Sequence, residues 1–187
     1  MRKLKLQVQI TIDGYIAGPN SEMDWMTFPW NDDINAYVTA ISEPMDTVLL
    51  GRKLAEGFIP HWASVAADPA HPEVEAGKIF VNTPKIVFSR TLDQIEWPNT
   101  TLAQGELSEV VNALKQQAGD DMMAYGGAEF VSSLIEANLI DEYHLFINPT
   151  AIGSGLRIFT GRTNLSFLRS QAFDNGIVVL VYGKRAE

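Results

Sequence analysis

In Met122-Met123-Ala124-Tyr125-Gly126-Gly127 a short apolar run stops at a glycine pair. An unbroken apolar run of this length, closed by glycine, is the pattern of a strand buried on both faces. Directly beyond it, Phe130, Val131, Leu134 and Ile135 recur at helical spacing, and Asn138 stands as the C-terminal cap. A buried strand that turns through glycines into an amphipathic helix is half of a βαβ unit. Such units build parallel sheets with helices packed on them.

Working outward, the same grammar repeats. Asp46-Thr47-Val48-Leu49-Leu50 ends at Gly51, and Lys85-Ile86-Val87-Phe88-Ser89 ends at Arg90. Ile34, Tyr37, Val38 and Ile41 are spaced as a helix ahead of Pro44; Leu107, Val110, Val111 and Leu114 are spaced likewise and closed by Gly119. At the start, Leu4, Leu6, Val8, Ile10 and Ile12 alternate with Lys5, Gln7, Gln9 and Thr11. That period of two is a strand with one apolar face, running into the turn signal Asp13-Gly14. The end of the chain is strand-rich. Ile140–Asn148 is extended up to Pro149, and Leu165–Phe173 and Ile177–Lys184 flank the hairpin signal Asp174-Asn175-Gly176. His61 to Lys78, rich in Ala and Pro, reads as a surface loop or short helix. The expected architecture is one α/β domain over residues 1–187: a mainly parallel sheet, helices on both faces, and an antiparallel hairpin at one edge.

Composition narrows the function classes. A chain of 187 residues with 46% hydrophobic and 20% charged side chains is globular and large enough for a sizeable core. Its net charge of −9 argues against a nucleic-acid partner held by general phosphate attraction, although a local basic patch can still hold one phosphate ligand. With no cysteine, thiolate metal sites and cysteine nucleophiles are excluded, and His61 and His71 match no common zinc spacing, so no metal is expected. Lys5, Gln7 and Gln9 interrupt the N-terminal apolar pattern, so neither a signal peptide nor a membrane span is read there, and a cytoplasmic protein is expected.

Three strand ends carry the chemistry. Gly126-Gly127 opens a helix, where free backbone N–H groups and the helix dipole attract an anion. Gly51-Arg52-Lys53 sets two cations at a helix start, against the dipole, with a phosphate ester as their natural partner. Ser89-Arg90 repeats the theme. In open α/β sheets ligands bind at the carboxyl ends of strands, so the three together weigh more than any one. Each also has a plain reading as a turn or a solvated helix start. Gly153-Ser154-Gly155 reads as a flexible turn, His144 as a packed or solvated strand residue, and Asp141-Glu142 as solvent-facing.

In this order the pieces resemble the dihydrofolate-reductase-like superfamily, in particular its bacterial branch related to the C-terminal reductase domain of the bifunctional deaminase-reductase of riboflavin biosynthesis. The resemblance covers nearly the whole chain. It is carried by Asp13-Gly14-Tyr15-Ile16-Ala17-Gly18-Pro19, Leu50-Gly51-Arg52-Lys53 with Glu56, Lys85 to Leu92, Gly126-Gly127-Ala128, Leu139 to Tyr143, Pro149, Gly153-Ser154-Gly155 and Phe159.

The resemblance implies a three-layer α/β/α fold around a sheet of about eight strands, only the last antiparallel, and NADPH as hydride donor. By motif, Gly51, Arg52 and Lys53 meet the adenosine 2′-phosphate or the pyrophosphate, with Leu54 standing where the family often has Thr. Ser89 and Arg90 flank the adenosine phosphate. The backbone of Gly126, Gly127, Ala128 and Glu129 holds the pyrophosphate, and Ile16 and Ala17 lie along the nicotinamide. Two carboxylates stand as candidate proton donors. Asp33, with Tyr37 four residues on, matches the buried acid of dihydrofolate reductases and reads equally as a helix N-terminal residue; Asp13 ends the first strand and reads equally as a turn aspartate. Burial beside the nicotinamide would raise the pKa of whichever acts. Trp25, Phe28 and Trp30 would form an aromatic wall. The implied activity is hydride transfer to a small heterocycle or a carbonyl or imine compound, of the dihydrofolate or 5-amino-6-(5-phosphoribosylamino)uracil type. A non-catalytic nucleotide-binding protein on the same fold is the rival. The apolar residues Tyr143, Leu145, Ile147, Phe159 and Ile177 to Tyr182 suit a homodimer face.

Overall fold

Alternation in the first segment becomes strand β1 (Leu4–Thr11), whose Leu4, Leu6, Val8 and Ile10 are buried. The computed structural model describes residues 1–185, so the last two residues of the expected domain lie outside the described residues. The order continues α1 (Asp32–Ser42), β2 (Met45–Gly51), α2 (Arg52–Ala67), α3 (Val74–Asn82), β3 (Lys85–Phe88), β4 (Thr100–Leu102), α4 (Leu107–Gln116), β5 (Asp121–Tyr125), α5 (Ala128–Glu136), β6 (Glu142–Asn148), β7 (Leu165–Ala172) and β8 (Val178–Lys184).

The strands form one eight-stranded sheet in the order β4-β3-β2-β5-β1-β6-β8-β7. β8 alone runs against the others: it pairs antiparallel with both β6 and β7, and every other pair is parallel. The glycine-closed strand β5 lies at the centre, between β2 and β1. One face packs Leu4, Leu6, Val8, Met122 and Tyr143 against Val111 of α4 and Val131 and Leu134 of α5. The opposite face is covered in two parts, by Ile34 and Ile41 of α1 over Met123, Phe146 and Val179, and by Ala55, Ile59 and Phe80 of α2 and α3 over Val48, Leu50 and Val87. Each such buried aliphatic or aromatic side chain contributes about 1.5–3 kcal/mol relative to exposure.

The local signals explain the element ends. Asn31 caps α1 by accepting from the Ile34 N–H at 3.1 Å, and Asp32 and Asp33 sit in its first turn, where the dipole favours them. Asn138 lies in the left-handed region at φ 55° just past α5, as its cap role requires. The hairpin forms between β7 and β8, with Gly176 at φ 88°.

Several expectations are corrected. His61 to Lys78 is mostly helical: α2 runs through Pro60 to Ala67, and α3 begins at Val74. His61 therefore lies in α2. The first strand stops at Thr11, leaving Ile12 68% exposed. Its polar side is not solvated: Gln7 and Thr11 are buried. Asp141 does not face solvent: it accepts from the Leu4 N–H at 2.8 Å and pairs with Lys115 at 2.5 Å. Tyr143 and Leu145 are buried within the chain, Tyr143 under Phe159 at a ring separation of 6.4 Å. The large apolar groups left exposed on the sheet are Phe167 and Leu168 of edge strand β7. Among the described residues, no helix is long and apolar enough to cross a membrane, and no cluster of His, Asp and Glu suits a metal ion.

Candidate functional site

Adjacency of β3, β2 and β5 brings the three marked strand ends side by side. Gly51 ends β2 and is the N-cap of α2; Gly127 follows β5 and is the N-cap of α5. Neither helix start has a side-chain cap, so their first backbone N–H groups remain open to an anion. Gly127 adopts φ 104°, which side-chain-bearing residues rarely take. At Gly51 the reason for glycine is space: a Cβ would sit 2.6 Å from Cβ of Phe130. Together they let two helix N-termini converge on one surface.

Cations gather over that surface. Arg52 Nη1 meets Glu56 Oε1 at 2.7 Å, Lys53 Nζ meets Glu129 Oε2 at 2.9 Å, and Arg90 Nη1 lies 3.9 Å from Glu129 Oε1. The hydrogen bond and charge of Lys53 hold the Glu129 carboxyl below its usual range. These pairs are exposed and hold the side chains only weakly, about 0–1 kcal/mol each. Arg52 and Lys53 open α2 with no acidic residue in the first turn, which opposes the dipole. An incoming phosphate resolves that conflict, meeting cations, open N–H groups and two positive helix ends at once. The Ser89 hydroxyl accepts from the Thr91 and Leu92 N–H groups at 3.1 and 2.9 Å, tying the β3 end into a tight turn beside Arg90. The residues present therefore fit a dinucleotide phosphate group.

Beside this surface, the loop leaving β1 is pinned. Ile16 and Ala17 are buried, and Ile16 N and Ala17 O exchange hydrogen bonds with Leu156 at 2.9 Å each. Asp13 accepts from Thr11 Oγ1 at 2.6 Å, from Gly153 N at 2.8 Å and from Ile152 N at 3.2 Å. The Thr11 hydroxyl leads the effects that hold the Asp13 carboxyl below its ordinary value, the reverse of the expected elevation. Gly153-Ser154-Gly155 is accordingly docked on β1 rather than free. Asp33 differs from expectation too: it lies on the exposed side of α1, while Ile34 beside it is buried. Tyr37, four residues on, directs its hydroxyl to His144 Nδ1 at 2.7 Å, and His144 Nε2 meets Glu142 at 2.8 Å. Trp30 stacks on Phe146 at 5.9 Å as part of the expected aromatic wall, and Trp25 is buried.

The sequence reading missed the polar side of β1. Gln7 and Gln9 look like the wet half of an alternating strand, yet Gln7 is buried and Gln9 half-buried. Only the need to cover both sides of a central strand would have flagged them. Two surface clefts, lined around Thr83-Pro84 and around Met1-Arg2, lie at the amino ends of the strands, away from Arg52, Lys53 and Arg90.

Residues 2–179 match the family model described as the RibD C-terminal domain. The uncharacterized protein YyaP of Bacillus subtilis is 34% identical over 97% of this chain and 94% of its own length. YwjB of the same organism is 27% identical over 90% and 88%. A solved putative riboflavin biosynthesis protein from Shewanella sp. PV-4 superposes with a TM-score of 0.74 at 19% identity, over the whole of both chains. The deaminase/5-amino-6-(5-phosphoribosylamino)uracil reductase of Thermotoga maritima gives 0.68 at 17% identity, over 98% of this chain and 57% of that one. Those two superpositions show the shared fold. With the family model running from β1 to the start of β8 and a relative matching almost end to end, this chain belongs to the RibD C-terminal domain family.

Proposed function

We propose that this protein is an NADPH-dependent reductase that passes hydride to a small heterocyclic, carbonyl or imine substrate. Dihydrofolate and 5-amino-6-(5-phosphoribosylamino)uracil are the substrate types. The observation that carries the reading is the convergence of Gly51-Arg52-Lys53, Ser89-Arg90 and Gly126-Gly127-Ala128-Glu129 on three neighbouring strand ends. Family membership supports a reductase, and the Thermotoga maritima neighbour is named as one.

In this reading Arg52, Lys53 and Arg90 bind the 2′-phosphate or pyrophosphate, and the open N–H groups at the starts of α2 and α5 complete the anion site. NADPH, when bound, supplies the hydride. Ile16 and Ala17, locked to Leu156, give the nicotinamide a rigid apolar wall. Asp13 stays ionised at neutral pH with its oxygens occupied, so it fastens the Gly153 turn to β1. Asp33 supports the start of α1. Water at the strand ends then supplies the proton.

The test is turnover, followed by NADPH absorbance, against pterin, aminouracil, imine and carbonyl panels. Oxidation tied to one panel supports the reading. Tight NADPH binding with no turnover on any panel favours the non-catalytic nucleotide-binding alternative. For assembly we propose a homodimer through β7, whose outer edge is unpaired and carries exposed Phe167 and Leu168. Light scattering at micromolar concentration should return twice the chain mass, and Phe167→Asp should return one.

A further inference from the structure

Lys53, Arg90 and Glu129 come from three separate parts of the chain and meet over the anion surface. Lys53 stands in the first turn of α2, Arg90 follows β3, and Glu129 stands in the first turn of α5. Glu129 Oε2 takes Lys53 Nζ at 2.9 Å, and its Oε1 faces Arg90 Nη1 at 3.9 Å. Among the described residues, neither cation pairs with any other acid. One carboxylate therefore occupies a cation at the end of β2 and a cation at the end of β3. The side chains of Lys53, Glu129 and Arg90 are 74%, 65% and 85% exposed, so an incoming anion can reach them without opening the fold.

The backbone beneath Glu129 is fixed. Its carbonyl accepts from Ser133 Oγ at 3.0 Å. The next residue, Phe130, stacks on Phe88 of β3 at a ring separation of 5.2 Å and packs over Gly51. What can yield is the Glu129 side chain. A phosphate offers the two cations a pair of oxygens, as the carboxylate does, and adds a third oxygen and a second negative charge. It is the stronger partner for both, and a carboxylate left beside it meets a like charge.

We propose that the Glu129 carboxylate is a resident anion in the place of the cofactor's 2′-phosphate, a specificity-determining residue that occupies Lys53 and Arg90 until the phosphate displaces it. The inference rests on the proposed NADPH site and adds a residue that works against it. The neutral 2′-hydroxyl of NADH does not compete for two cations, so Glu129 lowers the affinity for NADPH and leaves that for NADH unchanged. The exchange also leaves a trace on the carboxyl itself. In the free protein the hydrogen bond and charge of Lys53 lead the effects that lower its pKa, and the charges of Arg90 and Arg52 add to them. Losing Lys53 and Arg90 to a phosphate raises it again.

The experiment titrates wild type, Glu129→Gln and Glu75→Gln with NADPH, NADH and inorganic phosphate by calorimetry. Glu75 pairs with Lys78 on α3, so its variant makes the same change in net charge away from the anion surface. Glu129→Gln should bind NADPH about fivefold or more tightly than wild type, the scale of releasing exposed ion pairs, and bind NADH within about twofold of it. Glu75→Gln should match wild type for both. In wild type, a carbon NMR titration of the Glu129 carboxyl should give a higher pKa with NADPH bound than without, and no such rise with NADH. Unchanged or weaker NADPH binding by Glu129→Gln overturns the proposal. So does an equal gain for NADH, an equal gain in Glu75→Gln, or a carboxyl whose pKa ignores NADPH. If no protein binds NADPH, the cofactor reading fails, and inorganic phosphate still decides the role of Glu129. Tighter phosphate binding by Glu129→Gln then supports that role, and equal or absent binding overturns it.

Discussion

The two ends of the sheet are built on opposite terms. At the amino ends of the strands, buried cations meet matched partners: Arg2 with Asp46 and Thr47, Lys115 with Asp141 and the Leu139 carbonyl, Lys5 with Asp121 at 2.9 Å. Lys85 is 2% exposed and donates to the carbonyls of Phe80, Val81 and Thr83, which closes the end of α3. At the carboxyl ends the cations are exposed, loosely paired, and set against uncapped helix starts. Charges at the first end satisfy the protein's own groups; those at the second are left to be satisfied by something else. Open α/β sheets place ligands at the carboxyl ends of strands for this reason.

The contrast makes quantitative claims. Lys115→Met removes one partner of a buried pair and should cost about 3 kcal/mol of stability. Urea unfolding measures it, and NADPH affinity should be unaffected. At the other end, Arg52→Ala should weaken NADPH binding by about 1.5–3 kcal/mol while changing stability by no more than about 0.5 kcal/mol. If Arg52→Ala unfolds the protein and Lys115→Met spares it, the division between the two ends is wrong.

His144 sharpens the picture from within the sheet. A neutral imidazole satisfies both contacts, donating from Nε2 to Glu142 and accepting at Nδ1 from the Tyr37 hydroxyl. Burial is the main cause that lowers its pKa below the ordinary 6.5. The unfolded chain thus takes up the proton first. Stability is full above pH 6.5 and falls as pH drops below it toward the lowered folded value. Unfolding midpoints from about pH 7.5 to 5.5 should show that slope in wild type and a flatter one in His144→Gln. The smallest effect belongs to Asp33→Asn, which should cost about 0.3–1 kcal/mol of stability through the dipole alone and change kcat less than twofold.

Much of this was legible in the chain, and the rest was hidden for physical reasons. Period-two spacing located β1, apolar runs located β2, β3 and β5, helical spacing located α1, α4 and α5, and Asp174-Asn175-Gly176 located the hairpin. β4 was not read, because Thr100–Leu102 is too short to show a period. Pro60 concealed the length of α2, since a proline normally ends a helix yet here lies inside one. The anion surface was visible because each of its parts follows its own strand. The amino-end pairs were not, since Arg2–Asp46 and Lys115–Asp141 join distant segments that only the strand order brings together. The burial of Gln7 was not legible because alternation reports which side of a strand is apolar, and says nothing of what covers the other.

The central claim is that the carboxyl ends of β3, β2 and β5 form a site for the phosphates of NADPH. The direct measurement is calorimetric titration of the wild-type protein with NADPH and with NADH under one buffer. The account predicts binding of NADPH at least tenfold tighter than NADH, because only NADPH brings the 2′-phosphate that Arg52, Lys53 and Arg90 would meet. Equal affinities, or no heat from either, would contradict it.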